Sequence, residues 1–118
     1  MVQNLVGTYD LHIHTMPDVK ARKLDNITYV EKCIAAGMAG VLLKNHMAPT
    51  VGCAQTIQKM FPGFNVVGGI VLNPSVGGIN SAAVEAAAKM GGRVVWFPTL
   101  FAKDYLDFKK KKLYTIIL

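Results

Sequence analysis

Two histidines one residue apart, in Asp10-Leu11-His12-Ile13-His14, are the residues best placed to do chemistry. Side chains alternate along a β-strand, so Asp10, His12 and His14 are expected on one face and Leu11 and Ile13 on the other. Two imidazoles about 7 Å apart on one face at a strand end can converge on one divalent ion. Asp10 would then be a further ligand, or the acceptor that fixes an imidazole tautomer. The chain has three histidines, and the third, His46, ends the next strand-like run, Val41 to His46. Zn²⁺ is the first expectation for such ligands, with Mn²⁺ or Ni²⁺ as alternatives. The plainer reading is two surface histidines and a loop histidine; the repetition at the second strand end favours a metal site.

These residues need elements to position them, and the chain supplies an alternation. A first strand is expected at Thr8 to His14. Asp25 opens a helix through Ala36, with Ile27, Val30 and Ile34 on one stripe and Gly37 as its stop. A second strand covers Gly40 to Lys44, and Thr50 caps a helix carrying Cys53, Ile57 and Met60, ended by Pro62-Gly63. A third strand runs from Asn65 to Leu72. Asn80 or Ser81 caps a third helix, Ala82 to Met90, closed by Gly91-Gly92, before a fourth strand at Arg93 to Phe97. The strands are apolar and mostly non-alternating, as strands covered on both faces are. Successive βα units with right-handed crossovers give an α/β fold with a parallel sheet. Both a (β/α) barrel segment and a small open parallel sheet meet that description.

The polar residues gather at one end of these strands. His12, His14, Thr15, Pro17 and Asp18 follow the first, Lys44, Asn45 and His46 the second, Asn73 the third, and Thr99 the fourth. The opposite ends, at Gly7, Gly40, Asn65 and Arg93, carry no comparable group. Chemistry in parallel α/β folds sits at the C-terminal strand ends. Asn45, Asn73 and Thr99 are therefore candidate contacts to a small-molecule substrate. The dinucleotide fingerprint is missing after the first strand, and Gly77-Gly78 is only a weak anion signal.

Composition bounds the remaining function classes. The 118 residues are 52% hydrophobic and 17% charged, which fits one packed domain over 1–118. No apolar run reaches membrane-spanning length, and the first residues lack a signal-peptide pattern. Cys33 and Cys53 form no CxxC pair, so reduced thiols and a cytoplasmic location are expected. The net charge of +6 is uneven: residues 1–100 carry eight Lys or Arg against five acids, and the last eighteen carry five Lys against two. The run Lys109 to Lys112, beside Tyr105, Phe108 and Tyr114, could meet nucleic acid, but no binding motif accompanies it. A solvated turn before a final strand, Leu113 to Leu118, is the preferred reading of this basic and apolar tail over 103–118.

Asp10-Leu11-His12-Ile13-His14-Thr15, with Pro17-Asp18 following, resembles the strand-one motif of the amidohydrolase superfamily and its polymerase-and-histidinol-phosphatase-like relatives. The segments Ala36 to His46, Pro49-Thr50, Gly68 to Asn73 and Val76-Gly77-Gly78 are similar to an uncharacterised branch of amidohydrolase-like proteins. The likeness runs from about Tyr9 to Thr99. It implies a metal-dependent hydrolase on a TIM-like barrel, with His12 and His14 as metal ligands and His46 as a third. Lys44 would orient a substrate carboxylate or phosphate, or bridge metals as a carbamate, although the superfamily's carbamylated lysine comes from a later strand. Its plainer role is a charge snorkelling at the barrel rim. Asp10 or Asp18 would act as the base toward water.

Length is the main departure from that pattern. A full barrel needs roughly 200 residues or more, and this chain supplies four strands, so the N-terminal half of a barrel is expected. The substrate would carry an amide, ester or phosphoester, and turnover by this chain alone would be weak. A half-barrel leaves open edges and uncovered apolar faces, so a homo-oligomer is expected. A metal- or ligand-binding protein without turnover is the alternative.

Overall fold

The structure, a computed structural model, describes residues 4–116. In chain order its elements are β1 (Tyr9–Ile13), α1 (Asn26–Ala35), β2 (Gly40–Leu43), α2 (Val51–Met60), β3 (Asn65–Val67), β4 (Gly69–Val71), a 3-10 turn (Pro74–Val76), α3 (Ser81–Lys89), β5 (Val94–Trp96) and α4 (Lys103–Ile116). All strand pairs are parallel, in a sheet of order β1-β2-β3 and a second sheet of β4-β5. The fold is therefore mixed α/β with open sheets, and the described strands close no barrel. The small open parallel sheet is the form the chain takes.

Helix ends follow their local chemistry. Asp25 caps α1, its carboxylate accepting from the Thr28 backbone N–H at 2.8 Å and the Thr28 hydroxyl at 2.6 Å. Gly37, at φ +76°, takes the left-handed turn just beyond that helix, where a Cβ would be strained. Asn80 caps α3 through the Ala83 N–H. The apolar faces then pack in two clusters. Val30, Cys33, Val41, Leu43, Ala54, Ile57, Phe64 and Val66 join the first sheet to α1 and α2. Val51, Ile70, Leu72 and Ala87 join β4 to α2 and α3.

The single third strand expected over Asn65 to Leu72 is instead two short strands broken at Gly68. Thr50 causes the break. It stands at the start of α2, but its hydroxyl makes no cap bond. The hydroxyl donates to the Leu43 carbonyl at 2.7 Å and accepts from Gly69 N–H at 2.9 Å, while Thr50 N–H donates to Gly69 O. Gly69 is thus bonded to the helix start, and β4 pairs onward with β5. A Cβ at Gly68 would lie 2.6 Å from the Val51 Cα, so only glycine lets the two backbones meet.

Three further expectations are corrected. In α1 the buried residues are Val30 and Cys33, whereas Ile27 and Ile34 are 38% and 40% exposed. Rotation of the helix brings Tyr29 toward β1, where it holds Asp10. In α2 the buried residues are Val51, Ala54 and Ile57, and Met60 is exposed. At the C-terminus the basic run belongs to α4 and not to a turn, and Leu113 to Ile116 continue that helix instead of forming a strand. Lysine and leucine favour helix, and Lys103 pairs with Asp107 one turn on at 2.7 Å. Ile117 and Leu118 lie outside the described residues.

Candidate functional site

The ends of β1, β2, β4 and β5 bring His12, His14, Lys44, His46, Asn73, Trp96 and Thr99 together. Their arrangement begins with a bulge in β1. Asp10 pairs with Val41 and Ile13 with Leu43, so three residues on β1 advance against two on β2. Asp10 accepts the His12 backbone N–H at 2.9 Å, which holds the irregularity. The bulge shifts the alternation. Asp10 receives the Tyr29 hydroxyl at 2.5 Å, and Ile13 packs in the core beneath α1. Asp10 therefore does not share a face with His12 and His14 as strict alternation requires, and both its oxygens are engaged, one by the His12 backbone N–H of β1 and one by Tyr29 of α1.

The two imidazoles do converge. Their Nε2 atoms are 3.2 Å apart, with ring centroids at 5.2 Å. Two ligand bonds of about 2.0–2.1 Å at a near-tetrahedral angle subtend roughly 3.3 Å. The pair is thus spaced as neighbouring ligands of one divalent ion. Without an ion the same spacing suits one proton shared between two nitrogens. The Nδ1 of His14 is buried with no hydrogen-bond partner among the described residues, so among them the ring is oriented by packing and not by an outer acceptor.

His46 joins this pair by stacking. Its ring lies on His14 with centroids 4.5 Å apart and planes 23° from parallel. Its Nδ1 sits 2.7 Å from the Thr99 hydroxyl. Among the described residues no three His, Cys, Asp or Glu side chains are gathered as a metal-holding set. The donor chemistry of His12 and His14 fits a two-histidine half-site.

The amide and hydroxyl residues brace the loops. Asn73, fully buried, donates to the His46 carbonyl at 2.8 Å and the Thr99 hydroxyl at 3.0 Å, and accepts Thr99 N–H at 2.9 Å. Asn45 donates to the Pro17 carbonyl and accepts Met47 and Ala48 N–H groups. Asn73 and Thr99 thus hold His46 in place, and Asn45 ties the two loops at the ends of β1 and β2. Asp18 is clamped by Arg22, at 2.6 Å from one guanidinium nitrogen and 2.7 Å from Nε.

A family model described as a family of unknown function, DUF6282, matches residues 7–115. The chain belongs to this family. Comparisons with curated proteins and with solved structures give no match.

Electrostatics at the site favour the neutral imidazole at His14 and His46. Burial, followed by the charges of His46, Arg22, His12 and Lys44, pushes His14 from 6.5 down to about 4. Burial and then Lys44 and Arg22 lower His46, against a small opposing effect of Asp18. Neutral imidazole is the form that binds a metal. Burial also lowers the Lys44 ammonium. Burial pushes the Asp18 carboxyl up, but the Arg22 hydrogen bond and the Lys20 N–H outweigh it and hold it below its ordinary value. Asp18 is thus a weak base in this setting.

Three site residues were not anticipated from sequence. Trp96 lies with its ring 4.7 Å from the Lys44 ammonium, Arg22 clamps Asp18, and Tyr29 holds Asp10. Trp96 lies near the end of the fourth apolar run, a position that carries a weak signal. Arg22 and Tyr29 carry none, because the loop path and the helix rotation decide where they arrive.

Proposed function

We propose that the chain is a metal-dependent hydrolase of amidohydrolase type, with His12 and His14 as ligands of a divalent ion, Zn²⁺ first. The observation that carries this reading is the 3.2 Å approach of the two Nε2 atoms at the C-terminal edge of a parallel sheet. A bound ion would supply Lewis acidity toward an amide, ester or phosphoester and would acidify water. The chain's own residues do the rest. Burial keeps His14 uncharged, Asn73 and Thr99 fix His46 against it, and the ammonium of Lys44 faces the same edge. No helix among the described residues is long and apolar enough to cross a membrane, and both cysteines are free, which supports a cytoplasmic setting.

A second reading has its own support. Asp10 and Asp18 are both engaged, and no third ligand joins the histidine pair among the described residues. A metal- or ligand-binding protein without turnover follows from those facts. Metal stoichiometry of the native chain against His12→Ala/His14→Ala tests the shared premise, and equal metal content in the two would sink both readings. Phosphoester, ester and amide assays with added Zn²⁺ or Mn²⁺ then separate them. Turnover abolished by the same double substitution supports the hydrolase, and metal binding without turnover supports the second reading.

A further inference from the structure

Lys44 is a buried cation without an acidic partner among the described residues. It is 6% exposed, yet the ion pairs among the described residues are Arg22–Asp18, Lys89–Glu85 and Lys103–Asp107. The acids of the β1 to α1 segment are already engaged. Asp10 takes the Tyr29 hydroxyl and the His12 N–H, Asp18 takes Arg22, and Asp25 caps α1. What Lys44 does meet is the Nε2 of His12 at 3.4 Å and the face of Trp96 at 4.7 Å. Neither carries a negative charge. A desolvated charge is costly unless it is paired, so the missing counter-ion is expected from a ligand.

The surroundings select the sign of that ligand. Lys44, Arg22 and Lys20 all lie near enough to act on His46, and Asp18 alone opposes them. A charged ammonium over an indole face is attractive, whereas a carbamate on the same nitrogen would set negative charge against the ring's negative face. The contact therefore favours Lys44 as an ammonium and not as a carbamate. His12, whose Nε2 lies 3.4 Å from the Lys44 nitrogen, is exposed to solvent. A divalent ion on the Nε2 of His12 would also face the ammonium, and an anion between them offsets the repulsion.

We propose that Lys44 binds an oxyanion, phosphate or carboxylate, in the angle between His12 and Trp96, and that the substrate is accordingly an anionic small molecule. The substrate assignment rests on the hydrolase reading, but the oxyanion site stands without a metal. Lysine serves as a point charge for such groups.

Trp96 is the chain's single tryptophan, so its fluorescence reports this position directly. Chelator-treated protein is titrated with inorganic phosphate and, separately, acetate at constant ionic strength held with chloride. A saturable fluorescence change is expected with at least one of them. Phosphate alone assigns a phosphate ester, acetate alone a carboxylate, and both a general oxyanion site. In Lys44→Met, verified as folded by circular dichroism, the affinity should fall at least about ten-fold. Lys44→Arg keeps the charge and should retain more of it than Lys44→Met. If Lys44→Met does not fold, the native titration and Lys44→Arg decide. No saturable response in the native chain, binding by folded Lys44→Met within two-fold of native, or no measurable binding by folded Lys44→Arg overturns the proposal. Because no metal is present, these outcomes are independent of the metal stoichiometry that tests the hydrolase reading.

Discussion

The ring of His46 lies flat against that of His14, with centroids 4.5 Å apart, although the two residues close different strands. This contact places a partly buried imidazole among other nitrogen bases and cations, and acid stability should report it. The sign follows from proton uptake. His14 titrates at about 4 in the folded chain and near 6.5 when unfolded, so between those values the unfolded state holds more protons. His46 shifts in the same direction. Stability of chelator-treated protein is therefore expected to fall as the pH drops from about 6.5 toward 4. The lowered Asp18 and Asp25 lose their contributions only further down, as pH falls below the ordinary carboxylate range. Urea midpoints at pH 7.5, 5.5 and 4.5 measure this, and His14→Gln should flatten the change. Equal midpoints at pH 7.5 and 5.5 for the native chain would contradict it.

The Asp10–Tyr29 pair joins the β1 bulge to α1. Removing one partner leaves a part-buried polar group unpaired, so Tyr29→Phe and Asp10→Ala should each cost about 1–3 kcal/mol. Because they share one contact, their effects should not add, with a coupling of about 0.5–3 kcal/mol. A double-mutant cycle from urea melts gives the number. Simple additivity would show that the Asp10–Tyr29 contact does not couple α1 to the bulged strand.

Asn73 is the brace behind the histidines. It is fully buried and makes three hydrogen bonds to the segments carrying His46 and Thr99. Asn73→Ala should cost about 2–4 kcal/mol, since it opens a gap and strands buried partners. Asn73→Asp keeps the shape but puts an acceptor where a donor is needed, and should be no better. Thermal melts of the two variants decide, and near-native stability of either would be the adverse result.

Assembly should follow the edges. The helices of the chain already cover most of the apolar strand surface: Val41, Leu43 and Val71 are at most 1% exposed. Apolar exposure remains on the outer strands, at Tyr9 and Leu11 on β1, and at Val95 with the adjoining Phe97 for β5. The radius of gyration is 16.5 Å, against about 13.5 Å for a compact chain of this length. A homo-oligomer that covers these edges is expected, and Leu11→Lys or Val95→Lys should weaken it. Sedimentation velocity at micromolar concentration checks this. A stable native monomer would refute self-association.

The sequence by itself determined the alternation of strands and helices, the cap at Asp25, a cap at Asn80 or Ser81 that the structure assigns to Asn80, and the strand ends at which polar residues gather. Those features are local: they depend on hydrophobic runs, cap chemistry and the left-handed turn at Gly37. What alternation could not supply was the bulge at Leu11 and His12, because an extra residue depends on pairing with β2 and on the Asp10 carboxylate reaching back to a backbone N–H. That one irregularity removed Asp10 from the histidine face. The break at Gly68 was hidden for the same reason, since Thr50 looks like an ordinary helix cap until its hydroxyl is seen bridging Leu43 and Gly69. The apolar run after Lys112 read as a strand because its composition suits one, but a strand needs a pairing partner, whereas a helix satisfies its backbone within itself. Only the tertiary structure could set Trp96 over Lys44 and His46 on His14, because each pair joins the ends of strands far apart in the chain, and those beside Lys44 and Trp96 even belong to separate sheets.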